Sequence, residues 1–341
     1  MQNPPATPNS SAGAPAPGPL GDTRTIQANG IELAVAVTGQ GPLAILMHGW
    51  PEQSLSWRHL APALAAAGWR VATPDMRGYG ASAKPEAPEA YRLNTLAQDM
   101  GAIADALGEQ RFVAIGHDWG ALTAWRTALV YPDRVAAVLG MSVPHAAPPQ
   151  IPLLDVIDHL YPDRFFYIRY FQQLGVGEAE LESSDLHHAL KMIYYTASGP
   201  GTRAHVRRDV PRDATLLQSW DEAPPGDLPF LPDPLLAEYV ARFRAGGWRG
   251  PLNYYRNFPA NAADARALGD SVIRQPSAFL YGEYDAVLHF FPGQLEHMRA
   301  HLADQRAEIK IPGAGHWVQQ EAPGETNAAA LEFLGSIRSQ V

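Results

Sequence analysis

Short apolar runs separated by turns rich in Gly, Pro and Asp set the rhythm of this chain, and amphipathic stretches fill the gaps between them. Residues 31–37 alternate apolar and polar positions, as a half-buried antiparallel strand does. The runs at 43–47, 71–73, 111–115 and 135–141 are short and mostly apolar, which predicts strands of a parallel sheet covered on both faces. Between them, residues 57–67 and 93–107 place apolar side chains three and four apart, the pattern of crossover helices. The alternation predicts a doubly wound α/β sheet.

After His145 the strand rhythm stops. It resumes with two strand–helix pairs, 278–281 with 294–302 and 308–311 with 324–337. The interval is aromatic, Pro-rich and helical in pattern, so we expect a helical cap over 145–260, inserted into a core made of 23–144 and 261–341. Within it, the Pro-rich stretch 224–234 carries Phe230 and Leu231 and reads as an ordered loop. Residues 1–22 are Pro, Ala, Gly, Ser and Asn with few large apolar side chains, and are expected to be a disordered tail.

Composition narrows the function classes. Apolar residues make up 46% of 341 and charged residues 18%, enough for a sizeable core. The formal charge of −9, with Lys and Arg scattered, argues against nucleic acid and against an anionic membrane surface as partners. The absence of cysteine removes disulfides, thiolate nucleophiles and zinc–thiolate centres. No apolar run is long enough for a membrane span and no secretory signal pattern opens the chain, so a cytoplasmic protein is expected.

The chemistry concentrates in three loops. Gly116-His117-Asp118-Trp119-Gly120 follows a strand and opens a helix, the context of a nucleophile elbow, with Asp118 at its tip. A carboxylate nucleophile displaces at sp³ carbon and leaves an alkyl ester that water cleaves, which suits epoxides and alkyl halides. The plainer alternative is that Asp118 caps the helix. His48-Gly49-Trp50-Pro51 follows the 43–47 strand, where the Trp50 amide, together with that of Trp119, offers two donors to an oxyanion. His48 itself is expected to brace the loop. Gly313-Ala314-Gly315-His316-Trp317 follows the last strand and presents His316 as a base for water. Its orienting acid is Asp285 or Glu283, both in the loop after the preceding strand. His187-His188 carries neighbouring rings that point apart on a helix, with no partner ligands nearby in sequence, and is no metal site.

Together these residues resemble the epoxide hydrolases of the α/β-hydrolase superfamily, over about residues 30–337. The matching motifs are His48-Gly49-Trp50-Pro51-Glu52 with Ser56-Trp57-Arg58, Gly78-Tyr79-Gly80-Ala81-Ser82, Gly116 to Gly120, and Gly315-His316-Trp317. The cap adds Tyr167-Ile168-Arg169-Tyr170-Phe171-Gln172 and Gly250-Pro251-Leu252-Asn253-Tyr254-Tyr255-Arg256-Asn257. The resemblance implies an α/β-hydrolase fold with an inserted cap. It implies Asp118 as nucleophile, Asp285 rather than Glu283 beside His316, and Tyr167 and Tyr255 as the phenols that assist ring opening. Trp50, Trp119 and Phe171 are expected to bind substrate. The implied partners are an apolar epoxide and water, with no cofactor or metal, and the chain is compatible with a homodimer. A haloalkane or haloacid dehalogenase with the same triad is the nearest alternative, and a non-catalytic ligand-binding protein the alternative of another class.

Overall fold

The computed structural model describes residues 20–204 and 210–341. Its first half builds most of a sheet: β1 (Asp22–Ala28), β2 (Ile31–Thr38), β3 (Leu43–Met47), α1 (Leu60–Ala66), β4 (Arg70–Pro74), α2 (Leu93–Ala106), β5 (Phe112–His117), α3 (Trp119–Val130) and β6 (Val135–Met141). Eight helices follow without a named strand: α4 (Leu153–Leu160), α5 (Tyr167–Tyr170), α6 (Val176–Ser183), α7 (Leu186–Ala197), α8 (Gly199–Ala204), α9 (Asp233–Gly246), α10 (Arg249–Asn253) and α11 (Phe258–Ala267). The sheet is completed by β7 (Ile273–Gly282), α12 (Gln294–Ala300) and β8 (Leu302–Ile311), and the chain closes with α13 (Val318–Glu321) and α14 (Pro323–Ser336).

The strands order β1-β2-β4-β3-β5-β6-β7-β8, with antiparallel pairing at β1–β2–β4 and parallel pairing from there on. β3, β5 and β6 are buried at every position because helices cover both faces, which is why each reads as a continuous apolar run. Their C-terminal ends point to one edge, where open α/β sheets build their sites.

Four expectations need correction. The tail assigned to 1–22 ends sooner: Leu20 is buried in the core and Asp22 opens β1, while residues 1–19 lie outside the described residues. Leu302, assigned to a helix, begins β8, and that strand is ten residues long rather than four. β1 was not expected, since only Ile26 and Ala28 of its seven residues are buried. The boundary placed at 260 falls inside α11, which sits on the core: the Asn261 side chain accepts from the Leu93 amide at 2.8 Å and Arg126 donates to the Asn261 carbonyl at 3.0 Å. Among the described residues, no helix is long and apolar enough to cross a membrane.

Candidate active site

Asp118 is the single residue between β5 and α3 and adopts φ 54°, ψ −119°. That turn closes only with glycine on both sides. A Cβ on Gly116 would stand 2.0 Å from the Gly120 carbonyl oxygen, and one on Gly120 would stand 1.9 Å from that of Met47. The Asp118 side chain makes no helix-capping bond. Instead its Oδ1 accepts from the Trp50 amide at 2.8 Å. Gly49 permits this approach, since a Cβ there would lie 2.4 Å from the Asp118 Cβ. As the first residue of α3, Trp119 has an amide without an intrahelical acceptor.

His316 follows β8 on the facing loop. Its Nδ1–H donates to Asp285 Oδ1 and Oδ2 at 3.1 and 3.2 Å, and its Nε2 lies 3.6 Å from Asp118 Oδ2. Asp285 is therefore the acid that orients the ring, whereas Glu283 accepts from the Gly313 amide at 3.0 Å and serves the loop. Burial works against the charged form of His316, but the Asp285 and Asp118 carboxylates outweigh it and raise its pKa well above the ordinary value. Burial likewise opposes ionisation of Asp118, yet His316, His117 and the Trp50 amide hold it below the usual carboxylate range. The unreacted pair is thus an imidazolium facing a carboxylate.

Asp118, Asp285 and His316 open onto a cavity of about 270 Å³ whose wall also includes Trp50, Tyr167 and Tyr255. The two tyrosine rings meet edge to face, 5.7 Å apart. Burial and the charge of Asp118 raise both phenols above their ordinary range, so each is a neutral donor near the Asp118 carboxylate. Tyr254, the neighbour of Tyr255, donates instead to the Arg77 carbonyl at 2.8 Å. Phe165, Phe166 and Trp220 extend the apolar wall. Of the residues expected to bind substrate, Trp50 lines the cavity; Trp119 and Phe171 stand behind it. Their rings pack on Tyr255 at 5.0 Å each.

His48 braces its loop as expected: Nε2 accepts from the Met76 amide at 3.0 Å and Nδ1 donates to the Gly49 carbonyl at 3.0 Å. His187 and His188 face Asp233 and Glu222 on the surface, at 3.7 and 3.1 Å. Among the described residues no cluster of three or more His, Asp or Glu is placed to hold a metal.

Sequence reasoning missed the support beneath the site. Fully buried His117 sits between Glu52 Oε2 and the His316 carbonyl, each 2.7 Å from a ring nitrogen. Its ring thereby ties the loop after β3 to the histidine loop beneath Asp118. Glu52 Oε1 accepts from Gln319 and Gln320 at 2.8 and 2.6 Å. Ser142 donates to the His316 carbonyl at 2.8 Å. The signal available beforehand was the pairing of a histidine inside the elbow with a glutamate four residues after His48.

Known proteins resemble this chain over nearly its whole length. Residues 42–181 match the α/β-hydrolase fold family. Epoxide hydrolase A of Mycobacterium tuberculosis is 39% identical over 317 residues, covering 92% of this chain and 97% of that protein. The crystal structure of epoxide hydrolase A from Mycobacterium thermoresistibile superposes with a TM-score of 0.86 at 39% identity, over 92% of this chain and 98% of that one. An epoxide hydrolase from an endophytic Streptomyces gives a TM-score of 0.89 at 37% identity, over 94% and 97%. With its elbow carboxylate, its His–Asp pair and relatives of this similarity, the chain belongs to the epoxide hydrolases of the α/β-hydrolase fold.

Proposed function

We propose that this enzyme converts an apolar epoxide to a vicinal diol through an ester on Asp118. The reading also adopts a helical cap that begins at 145 and ends before α11, inserted into the core. The observation that carries it is the differentiation of the two Asp118 oxygens. Oδ1 is held by the Trp50 amide, and Oδ2 faces His316 in a cavity shared with two neutral phenols.

Oδ2 attacks an epoxide carbon, the ring C–O bond breaks, and the departing oxygen is held by Tyr167 and Tyr255. An alkoxide leaves poorly without such donors, and general-acid help is worth about 10²–10⁴ in rate. Esterification removes the charge of Asp118, one of the two carboxylates that keep His316 protonated. His316 then gives up its proton, which the alkoxide takes through the phenols. Neutral His316, oriented by Asp285, next takes a proton from water as the oxygen of that water bonds to the ester carbonyl carbon. The negative charge developing on Oδ1 falls between the Trp50 and Trp119 amides. Collapse releases the diol and returns the carboxylate–imidazolium pair, so protons balance over the cycle.

A dehalogenase would need a donor for the leaving halide, and the Trp119 ring, the obvious candidate, packs edge to face on Tyr255 behind the cavity wall. The test is diol formation from a panel of aryl and alkyl epoxides, with halide release from the matching halides as control. The Tyr167→Phe/Tyr255→Phe double variant should lose about 10²–10⁴ in the rate of ester formation. Halide release without diol, or a double variant at full speed, refutes the reading.

A further inference from the structure

Glu321 closes α13, five residues after His316, with most of its surface buried. Its charge is met by main-chain amides. Oε2 accepts from Gly315 at 3.1 Å and from Gly199 at 2.8 Å, and Oε1 accepts from Trp317 at 3.0 Å. Two of these donors flank His316, and the third belongs to the first residue of α8, far away in sequence and on the helical side of the site. A single carboxylate thereby gathers the histidine loop and the cap segment that covers it.

Independent contacts mark the same junction. The His316 amide donates to the Ala197 carbonyl at 2.8 Å, and the Trp317 indole N–H donates to the Tyr194 carbonyl at 2.8 Å. The two backbones touch. A Cβ on Gly315 would stand 2.3 Å from the Gly199 nitrogen, and one on Gly199 would stand 2.0 Å from the Gly313 oxygen. Neither glycine has room for a side chain, so the loop's position is set by the end of α7 and the start of α8, with Glu321 as the polar bond between them.

We propose that Glu321 is a positioning residue for the water-activating histidine, acting through the Gly315 and Trp317 amides and latching the His316 loop to the α7–α8 junction. The proposal rests on the ester mechanism above. It predicts a selective defect, because Asp118, Tyr167 and Tyr255, which form the ester, lie on other elements. In a Glu321→Gln variant the amide nitrogen faces N–H donors, so at least one bond of the three is lost and His316 shifts. Misplacement on the scale of an ångström costs about a hundredfold.

The experiment separates the two half-reactions. Enzyme and excess epoxide are mixed and quenched in acid, and the ester on the Asp118 peptide is followed by mass spectrometry beside steady-state turnover. In Glu321→Gln, ester formation should stay within about threefold of the parent, while hydrolysis slows about tenfold to a hundredfold. The ester should then accumulate, and kcat and KM should fall together with kcat/KM nearly constant. Glu321→Asp, which keeps the charge, should recover part of the hydrolysis rate and serves if the glutamine variant does not fold. Equal loss in both half-reactions, or hydrolysis at the parental rate in either folded variant, overturns the proposal. Absence of any ester in the parent enzyme would instead refute the mechanism on which it rests.

Discussion

At the scale of single residues, the site is a set of charges whose values depend on one another. His316 is held protonated by Asp285 and Asp118 against burial, and Asp118 is held ionised largely by His316. Alkylation removes the Asp118 charge, so the His316 pKa in the ester lies below its value in the free enzyme. Only neutral His316 accepts a proton from water, so single-turnover hydrolysis should rise with pH through that lowered pKa and then level off. Ester formation needs ionised Asp118, whose depressed pKa keeps it active below the ordinary carboxylate range and lost only at still lower pH. Stopped-flow tryptophan fluorescence, with Trp50 and Trp119 beside the nucleophile, resolves the two phases; hydrolysis that slows as pH rises over this range would contradict the assignment. Asp118→Asn should give no ester and His316→Gln should trap it, read by intact mass. The residues proposed to react stood out in the sequence because each sits in a Gly-containing loop after a strand. His117 did not, because its meaning lies in two acceptors reached from distant loops.

At the scale of elements, the central strands announced themselves and the edges did not. β3 and β6 run as expected, for burial on both faces demands unbroken apolar sequence. β1 and β8 are the two edges of the sheet, and their half-exposed positions carry Asp, Thr, Gln, Arg, Glu and Lys, which hides the strand. The elbow and the loop after β3 show the reverse case, where sequence and geometry agree to a single atom. Gly49 is the point of closest approach, and adding one methyl group would press on both Asp118 Cβ and Oδ1, at 2.4 and 2.5 Å. Gly49→Ala should therefore lose about 1–3 kcal/mol of stability by overpacking. Because the strain lands on the nucleophile, it should also lose about a hundredfold in ester formation. Thermal melts and single-turnover rates check the two parts, and an alanine variant with parental chemistry would mean that the loop moves away from Asp118 freely.

At the scale of the whole molecule, the cap and both halves of the core meet at one buried carboxylate. Glu52, on the loop after β3, accepts from His117 of the elbow and from Gln319 and Gln320 of α13, partners as far as 268 positions away. Gln320 in turn accepts from Arg58 at 2.6 Å, and Arg58 donates to the Phe230 carbonyl at 2.5 Å, in the Pro-rich loop over the core. No local pattern encodes such a hub, since its residues become neighbours only when the sheet is complete; the ordered loop carrying Phe230 was foreseeable, its anchor was not. Every neighbour of Glu52 in this set is a donor, including the Gly49 amide at 3.3 Å. A glutamine there supplies one acceptor oxygen and turns an NH₂ group toward donors. Glu52→Gln should thus cost about 1–3 kcal/mol, the usual loss when a buried donor is left without its acceptor. It should appear as a lower urea midpoint with an unchanged slope. Glu52→Gln also unseats His117, whose ring beneath Asp118 is one of the groups that hold the Asp118 pKa down. The acid limb of kcat/KM should move upward toward the ordinary carboxylate value. A variant that unfolds earlier with its acid limb unmoved would assign Glu52 to stability alone, and one with both unchanged would remove the Glu52 hub from the description of this enzyme.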